Sequence, residues 1–212
     1  MIQVIELFKS IQGESSFAGQ LCSFVRLKGC NLDCSWCDTV YAKAEPGVGM
    51  SPEQIVTEVE KHTTRLVQIT GGEPLLQDAT PGLCQLFLDR GYTVLVETNG
   101  SVDIGVVPEK VHRIVDIKCP GSGMESSFLK SNIEKLTNTD ECKFVVCSID
   151  DARWARAFIE EHDLISRCTV FLSPVEGSMG VSELANFIIE NSLKVRLGFQ
   201  LHKFIWGNRR GV

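Results

Sequence analysis

The stretch LCSFVRLKGCNLDCSWCDT, residues 21–39, joins an apolar run to a loop that carries three cysteines. Residues 21–27 have the near-continuous apolar character of a buried parallel β-strand. Cys30, Cys34 and Cys37 follow with the spacing CxxxCxxC. Such a loop can wrap three corners of a cubic iron–sulfur cluster, in which each iron normally takes one thiolate. One iron is then left without a protein ligand, and an open metal position is where a metal centre does chemistry.

A structural zinc site is the alternative for these cysteines, with a histidine or a distant cysteine as the fourth ligand. Structural zinc prefers paired CxxC motifs, or a CxxC motif followed by an HxxxH motif. This chain has no second cysteine pair, and its four histidines are scattered at positions 62, 112, 162 and 202. The spacing therefore favours an iron–sulfur cluster.

Length and composition restrict the class of protein further. We predict one domain over residues 1–212, because no linker, repeat or charge block divides the chain. The formal net charge of −6 argues against a general nucleic-acid binder, which needs a basic face. No apolar run reaches the roughly 18 residues of a membrane span, so we expect no membrane partner. Residues 1–10 lack a signal-peptide pattern, and nine cysteines then indicate a reducing compartment, which predicts a cytoplasmic protein.

Six cysteines lie outside the triplet and show no ligand spacing. Each sits in or beside an apolar run, where a free cysteine behaves as a small hydrophobic residue. We therefore predict that all six are core residues, namely Cys22, Cys84, Cys119, Cys142, Cys147 and Cys168.

Seven short runs rich in β-branched and aromatic residues predict strands, with helical patterns between most of them. The runs cover residues 21–27, 66–70, 93–98, 113–118, 142–147, 168–173 and 194–199. Ser51 and Thr80, each followed by a proline, are the predicted N-caps of two helices. This alternation indicates a parallel sheet or barrel. Residues 98–113 contain two glycines and one proline and leave little room for a helix, so we predict a loop there and a reduced barrel.

Polar segments follow the predicted strands, at the end where a parallel barrel places its active site. Each segment alone is an ordinary turn sequence. Together with the cysteine loop they predict one polar rim. The segments are TGGEP (70–74), ETNG (97–100), DIKCPGSG (116–123), SPVEG (173–177) and QLHKF (200–204).

Two of these motifs carry a resemblance to a known superfamily. CNLDCSWC followed by TGGEP one strand later resembles the radical S-adenosylmethionine superfamily, in which the amino and carboxylate groups of the cofactor chelate the open iron. SIQGESSFAGQLCSFVRLKGCNLDCSWCDT (10–39) and HKFIWGNRRGV (202–212) look like the 7-carboxy-7-deazaguanine synthase family. With TGGEPLLQ, VETNG and DIKCPGSGM, this similarity spans nearly the full length.

The resemblance implies a fold, a reaction and partners. The fold is an α/β, incomplete (β/α)6-type partial barrel with a reduced helical complement. The reaction is a carbon–nitrogen lyase step of queuosine and deazapurine biosynthesis. It turns 6-carboxy-5,6,7,8-tetrahydropterin into 7-carboxy-7-deazaguanine with loss of ammonia, through a 5′-deoxyadenosyl radical and a Mg²⁺-assisted ring contraction. Family members act as homodimers, and a flavodoxin or ferredoxin is the kind of electron donor implied.

The resemblance also implies roles for individual residues. Cys30, Cys34 and Cys37 would bind a [4Fe–4S] cluster, and Thr39 would ligate Mg²⁺. The residues implied for S-adenosylmethionine are Trp36, Cys37, Asp38, Gly72, Glu97, Asn99, Asp116, Ile117 and Lys118. Those implied for the pterin substrate are Ile11, Gln12, Gly13, Glu14, Arg26, Thr70 and His202.

Simpler interpretations exist for three of these residues. Thr39 could make a local turn hydrogen bond, Arg26 could form a surface ion pair, and His202 could be a buried core histidine. The chain also departs from relatives at two places. It reads QGES where many read QGEG, and it ends in GNRRGV, so the substrate contact of a terminal proline in some relatives is not carried over.

Two other functions stay open from the sequence. An enzyme that installs a glycyl radical on a partner protein shares the compact size and the cysteine spacing, but it needs a docking surface for a polypeptide. A non-enzymatic zinc or iron–sulfur module is the alternative from another class. The glycyl-radical activator would cleave S-adenosylmethionine only with its partner protein, whereas the predicted enzyme would need only the pterin. A colourless protein that contains zinc would indicate the non-enzymatic module.

Overall fold

A nine-stranded, mostly parallel sheet organises the chain in the computed structural model, which describes residues 1–212. The strands are β1 (Ile2–Ile11), β2 (Leu21–Leu27), β3 (Val48–Met50), β4 (Leu66–Gly71), β5 (Thr93–Thr98), β6 (His112–Asp116), β7 (Glu141–Val146), β8 (Thr169–Pro174) and β9 (Arg196–Leu197). Their spatial order is β3-β1-β2-β4-β5-β6-β7-β8-β9, and only β1 pairs antiparallel, with β2 and β3. The edge strands β3 and β9 do not pair with each other, so the sheet stays open. This confirms the predicted α/β class and incomplete barrel.

Seven α-helices accompany the sheet, and three strand connections lack one, the first being the turn at residues 12–20 between β1 and β2. The helices are α1 (Tyr41–Ala44), α2 (Pro52–Glu60), α3 (Thr80–Asp89), α4 (Ile149–Glu161), α5 (Leu164–Arg167), α6 (Val181–Glu190) and α7 (Leu201–Trp206). The β5–β6 connection holds only the 3-10 turn Ile104–Val106, and the β6–β7 connection holds three 3-10 turns. The predicted loop at 98–113 and the reduced helical complement are confirmed. No helix is long and apolar enough to cross a membrane.

The two faces of the sheet have different characters. On the core face, alternate residues of each strand pack against the helices; in β7 these are Cys142, Phe144 and Val146. On the other face, which we call the cavity face, Lys143 and Val145 line an open space. Successive side chains of a strand point to opposite faces. A strand can therefore build the core and the site at the same time.

The two predicted helix starts have different outcomes. Ser51 caps α2 as predicted: its hydroxyl accepts from the Gln54 backbone N–H at 3.2 Å, and the Gln54 side chain accepts from the Ser51 N–H at 2.8 Å. The prediction for Thr80 is wrong. Ala79 is the N-cap residue of α3, and the buried Thr80 hydroxyl instead donates to the Pro74 carbonyl at 2.7 Å. Because the Thr80 hydroxyl bonds this carbonyl, it does not cap the backbone N–H groups of α3. The hydrogen bond instead connects α3 to the loop after β4.

Five of the six cysteines outside the triplet are buried, as predicted, and Cys147 is not. Cys147 follows the end of β7, where the chain turns towards α4. Its backbone N–H donates to the Asp151 carboxylate at 3.1 Å, and its thiol is partly exposed. The apolar run that predicted a core position therefore ends one residue earlier, at Val146.

Candidate active site

A large cavity opens on the cavity face at the carboxyl ends of the parallel strands. Its volume is about 560 Å³, in the range of pockets that enclose cofactor-sized ligands. All but one of the residues predicted for the site line this space. They are Ile11, Gln12, Gly13, Glu14, Arg26, Cys30, Cys34, Trp36, Cys37, Asp38, Thr39, Thr70, Gly72, Glu97, Asn99, Asp116, Lys118 and His202.

Ile117 is the predicted residue that does not line the cavity. Its side chain is fully buried among the apolar residues of the core face. Asp116 and Lys118, on either side of it, both line the cavity. Alternation along the strand explains this difference. A side-chain contact of Ile117 with a cofactor is therefore corrected to a packing role.

The cysteine loop is anchored by hydrogen bonds to its own backbone groups. The Gly29 N–H donates to the Ala42 carbonyl at 2.9 Å, and the Ser35 N–H donates to the Ser122 carbonyl at 3.1 Å. The Lys43 ammonium donates to the Leu32 carbonyl at 2.8 Å. These contacts hold the loop in place while its three thiols line the cavity.

The donor set of this loop fits an iron–sulfur cluster. None of the other six cysteines lines the cavity, and no three Cys, His, Asp or Glu side chains converge on the position of a single ion. The thiolates of a cluster bind separate irons and need not converge. Burial raises the pKa of the Cys34 thiol, and the nearby Lys118 ammonium partly offsets this effect.

Two glycines let the TGGEP segment pack directly on the cysteine loop. A Cβ at Gly72 would overlap the Gly29 carbonyl and approach the Cys30 Cβ to 2.7 Å. Gly71 has φ +147°, and a Cβ there would overlap the backbone of Leu27. Only glycine fits such close backbone contacts. Gly72 thus has a packing requirement in addition to its implied contact with the cofactor.

Glu73 joins this segment to the next strand end. Its fully buried carboxylate accepts from the Leu75 N–H and the Thr98 hydroxyl, both at 2.9 Å, and from the Asn99 N–H at 2.6 Å. Burial raises the pKa of Glu73, although these hydrogen bonds oppose the rise. The motifs TGGEP and ETNG are therefore one hydrogen-bonded unit in space.

Lys143 lies at the centre of the cavity wall, among three carboxylates. Its Nζ is 2.7 Å from Glu14 Oε2, 2.5 Å from Glu97 Oε1 and 3.7 Å from Asp116 Oδ2. Burial lowers the pKa of Lys143, but the three carboxylates outweigh burial and hold this pKa well above its ordinary value. Lys118 pairs with Asp116 at 2.8 Å. The cluster thus contains two cations and three anions, an excess of one negative charge.

Asp116 keeps one acceptor unused. Burial raises its pKa, but Lys118 and Lys143 reverse this effect and leave the pKa below its usual range. Its Oδ2 pairs with Lys118, while its Oδ1 is buried without a hydrogen-bond partner. A buried unpartnered acceptor is costly, and this one belongs to a residue that lines the cavity. It therefore fits a hydroxyl or ammonium donor from a ligand.

The C-terminal part of the chain closes the open side of the site. The Leu201 N–H donates to the Gly13 carbonyl at 2.9 Å, and the Gln200 side chain donates to Glu14 Oε1 at 2.7 Å. The His202 ring lies against Gly13, where a Cβ would overlap it. Gly13 and His202, which are predicted substrate residues from the two ends of the sequence, are therefore in direct contact.

Arg210 fixes the last residues against the start of the sheet. Its guanidinium donates to Glu6 Oε2 at 2.9 Å and to Glu45 Oε1 at 2.8 Å, and its Cζ lies 3.9 Å from the centre of the Tyr41 ring. Arg26 and Tyr41 both donate to Glu6 Oε1, at 2.7 Å and 2.8 Å. Burial raises the pKa of Tyr41 to about 12, so its hydroxyl stays protonated and donates. Residues 207–212 thereby become part of the cavity wall.

Lys143, Gln68 and the contacts of Glu6 were not predicted from the sequence. Lys143 had a readable signal, because it interrupts the apolar run CKFVVC, and a lysine inside a buried strand is rare unless it is paired. Gln68 interrupts LVQIT in the same way. Glu6 had no such signal, since its partners are distant in sequence.

Comparison with known proteins identifies the family. Residues 24–123 match the family model described as the Radical SAM superfamily. The 7-carboxy-7-deazaguanine synthase of Chlorobaculum tepidum is 42% identical, over 100% of this chain and 97% of the relative. That of Koribacter versatilis is 43% identical, over 97% of each chain. This chain belongs to the 7-carboxy-7-deazaguanine synthase family.

Solved structures support the fold. The crystal structure of QueE from Escherichia coli aligns with a TM-score of 0.76 at 23% identity, over 95% of this chain and 94% of that one. Streptococcus suis SuiB bound to S-adenosylmethionine aligns with a TM-score of 0.56 at 12% identity, over 81% and 48%. Membership of the family confirms the predicted enzyme class and, with it, the [4Fe–4S] cluster and S-adenosylmethionine as cofactors. The glycyl-radical activator and the zinc module are not supported.

Proposed function

We propose that this chain converts 6-carboxy-5,6,7,8-tetrahydropterin into 7-carboxy-7-deazaguanine with loss of ammonia, as a step of queuosine or related deazapurine biosynthesis. The observation that carries the proposal is the shared cavity. The three thiols of the cysteine loop line the same space as Gln12 and Glu14 from the opposite end of the barrel wall. The relatives named for this synthase match along the whole chain.

The cysteine loop would hold the cluster through Cys30, Cys34 and Cys37. When bound, the cluster and S-adenosylmethionine supply the one-electron chemistry that starts the reaction. The unpartnered Asp116 Oδ1 supports its assignment to the cofactor, since carboxylate oxygens accept from hydroxyl and ammonium groups. The excess negative charge around it favours a cofactor with a net positive charge.

The opposite side of the cavity would orient the pterin. The Arg26 guanidinium is held by Glu6 through Nε. Its two terminal nitrogens are left as a fork for the substrate carboxylate. Gln12, Glu14 and Thr70 offer amide, carboxylate and hydroxyl groups to the amide and amino edge of the ring. These residues fix the substrate relative to the cofactor, and the wall formed by residues 207–212 would exclude water.

Mg²⁺ is proposed to bind through Thr39. The Thr39 hydroxyl lines the cavity and lies 3.8 Å from Cys37 Sγ, next to the cluster loop. Mg²⁺ takes oxygen ligands and is often bound partly through a substrate. We expect Thr39→Ala to lower turnover about tenfold or more at limiting Mg²⁺. Thr57→Ala, on the exposed side of α2, is the matched control. Turnover and Mg²⁺ dependence equal to wild type in Thr39→Ala would exclude the ligand role.

The direct test of function is anaerobic turnover. Reconstituted protein is mixed with S-adenosylmethionine, a reductant, Mg²⁺ and the pterin, and products are followed by mass spectrometry. We expect 7-carboxy-7-deazaguanine from wild type and from the control Cys147→Ala, and none from Cys34→Ala. 5′-Deoxyadenosine without the deazapurine would keep the radical enzyme and reject this substrate.

The homodimer, the cytoplasmic location and the flavodoxin or ferredoxin donor are also proposals. The resemblance implies the dimer and the donor, and nine unpaired cysteines suit a reducing compartment. Light scattering of the reconstituted protein tests the dimer. Turnover with a reduced flavodoxin in place of a chemical reductant tests the donor.

A further inference from the structure

A closed ring of hydrogen bonds runs across the cavity wall. Lys143 donates to Glu14 at 2.7 Å and to Glu97 at 2.5 Å. Gln68 donates to the second oxygen of Glu97 at 2.7 Å, and Gln12 donates to the Gln68 side-chain oxygen. The Glu14 backbone N–H closes the ring on the Gln12 side-chain oxygen at 3.0 Å.

The ring joins the two halves of the proposed site. Gln12 and Glu14 belong to the half assigned to the pterin, and Glu97 belongs to the half assigned to S-adenosylmethionine. Within the ring only Lys143 and Gln68 connect these halves, and outside it the Thr70 hydroxyl makes one long contact with Glu97 Oε2 at 3.5 Å. Neither of the two has a place in the binding assignments, although both line the cavity.

Lys143 is poorly suited to act as a proton donor. Its side chain is only 8% exposed and faces Glu14, Glu97 and Asp116. An ammonium in such an environment keeps its proton, because loss of the proton would leave the buried carboxylates without their cation. The same contacts join Glu14 to Glu97, so a restriction of one carboxylate is passed to the other. Lys143 is therefore a cross-link between the two carboxylates and not a group that exchanges a proton with the substrate.

We propose that Lys143 and Gln68 are positioning residues that couple occupation of the pterin half of the cavity to occupation of the S-adenosylmethionine half. The proposal rests on the function proposed above. A pterin bound to Gln12 and Glu14 restricts their motion, and the ring passes this restriction to Glu97. S-Adenosylmethionine then binds to a carboxylate that is already ordered, and so it binds more tightly.

The test measures the affinity for S-adenosylmethionine by anaerobic calorimetry, with and without saturating 6-carboxytetrahydropterin. The protein carries its reconstituted cluster in the oxidised state, so that no turnover occurs. We expect wild type to bind S-adenosylmethionine about tenfold more tightly when the pterin is present. The affinity for the pterin should change by the same factor when the order of addition is reversed.

Two arms of the ring join the halves, one through Lys143 and one through Gln68, so the variants are Lys143→Met, Gln68→Met and the double variant that removes both arms. All three should retain binding of the two ligands, and the coupling factor should fall in each single variant and drop below about twofold in the double variant. Lys135→Met is the matched control, because Lys135 pairs with Asp103 outside the cavity. It should keep the wild-type factor. Circular dichroism shows whether each variant is folded, and iron content shows whether it carries the cluster. If Lys143→Met does not fold, the coupling factor of Gln68→Met tests the proposal.

The possible results separate the two proposals. A wild-type protein that does not bind the pterin overturns the proposed substrate. Binding of both ligands without any coupling in wild type overturns this inference and leaves the substrate in place. Coupling that persists unchanged in Gln68→Met and in folded Lys143→Met overturns it as well.

Discussion

Two buried cations lie on neighbouring strands but on opposite faces of the sheet. Arg113 of β6 belongs to the core face, and Lys143 of β7 belongs to the cavity face. Arg113 makes a two-pronged ion pair with Asp140, through Nε at 2.9 Å and Nη2 at 2.5 Å, and gives further hydrogen bonds to the Ile104 and Lys135 carbonyls. Lys143 instead faces three carboxylates.

The difference between them is charge balance. Arg113 and Asp140 cancel, and Asp140 also accepts from the backbone and hydroxyl of Thr137, so no charge or acceptor is left over. The Lys143 cluster keeps one negative charge in excess and the unpartnered Asp116 Oδ1. A balanced buried pair contributes to the architecture, whereas an unbalanced one is prepared for a ligand.

Arg113→Met should give the largest change in stability. It leaves Asp140 buried without its cation, so we expect the free energy of unfolding to fall by about 3–5 kcal/mol. Denaturation with urea measures this loss. Arg153→Met, in an exposed pair with Asp150, is the control and should change stability by less than about 0.5 kcal/mol. A comparable loss in both variants would mean that Arg113 has no special structural role.

Asp116→Asn should change the affinity for the ligand more than it changes the stability of the fold. It removes the excess charge of the cavity cluster but leaves Lys118 without its carboxylate partner, so we expect the free energy of unfolding to fall by about 1–2 kcal/mol, less than in Arg113→Met. The affinity for S-adenosylmethionine should fall about 100-fold, because a charge-assisted hydrogen bond is lost. Calorimetry and denaturation of the same preparation measure both quantities. Asp103→Asn is the control, and a large loss of stability with unchanged affinity would reverse the comparison.

The contribution of Glu141 to stability should depend on pH. Burial raises its pKa, but hydrogen bonds from His112 and Ser16 outweigh burial and place this pKa below the ordinary value of 4.5. Glu141 therefore stabilises the fold above pH 4.5, and this contribution disappears as the pH falls through the lowered pKa. The stability difference between wild type and Glu141→Gln should be largest near neutral pH, about 1–2 kcal/mol, and vanish in acid. A difference that does not change with pH would contradict this assignment.

Local sequence signals predicted much of this molecule. The cysteine loop, TGGEP and the loop at 98–113 lie where their composition placed them, since glycine, proline and apolar alternation act over a few residues. The residues that the resemblance implies for the site line one cavity, except for Ile117, and their individual roles stay predictions. The short edge strand β3 and the long strand β1 were missed, because Glu6 and Lys9 interrupt the apolar pattern of β1.

What the sequence could not supply was long-range pairing. Lys143 and Glu14 are 129 positions apart, so nothing near either residue indicates the other. The N-cap prediction for Thr80 and the core prediction for Cys147 were wrong for a related reason. The Thr80 hydroxyl donates to a carbonyl of another loop, and Cys147 lies in the turn before α4 and not in the core.

The contact between Arg210 and Glu6 spans 204 positions of the chain. Closing so long a loop costs more chain entropy than forming the neighbouring pairs of the parallel sheet. The cavity mouth is therefore expected to form late in folding, after the strands that carry the cluster loop have paired. In the reverse direction, residues 207–212 are expected to separate from Tyr41 before the sheet unfolds. Such an opening would give ligands a route into the site without unfolding of the barrel wall.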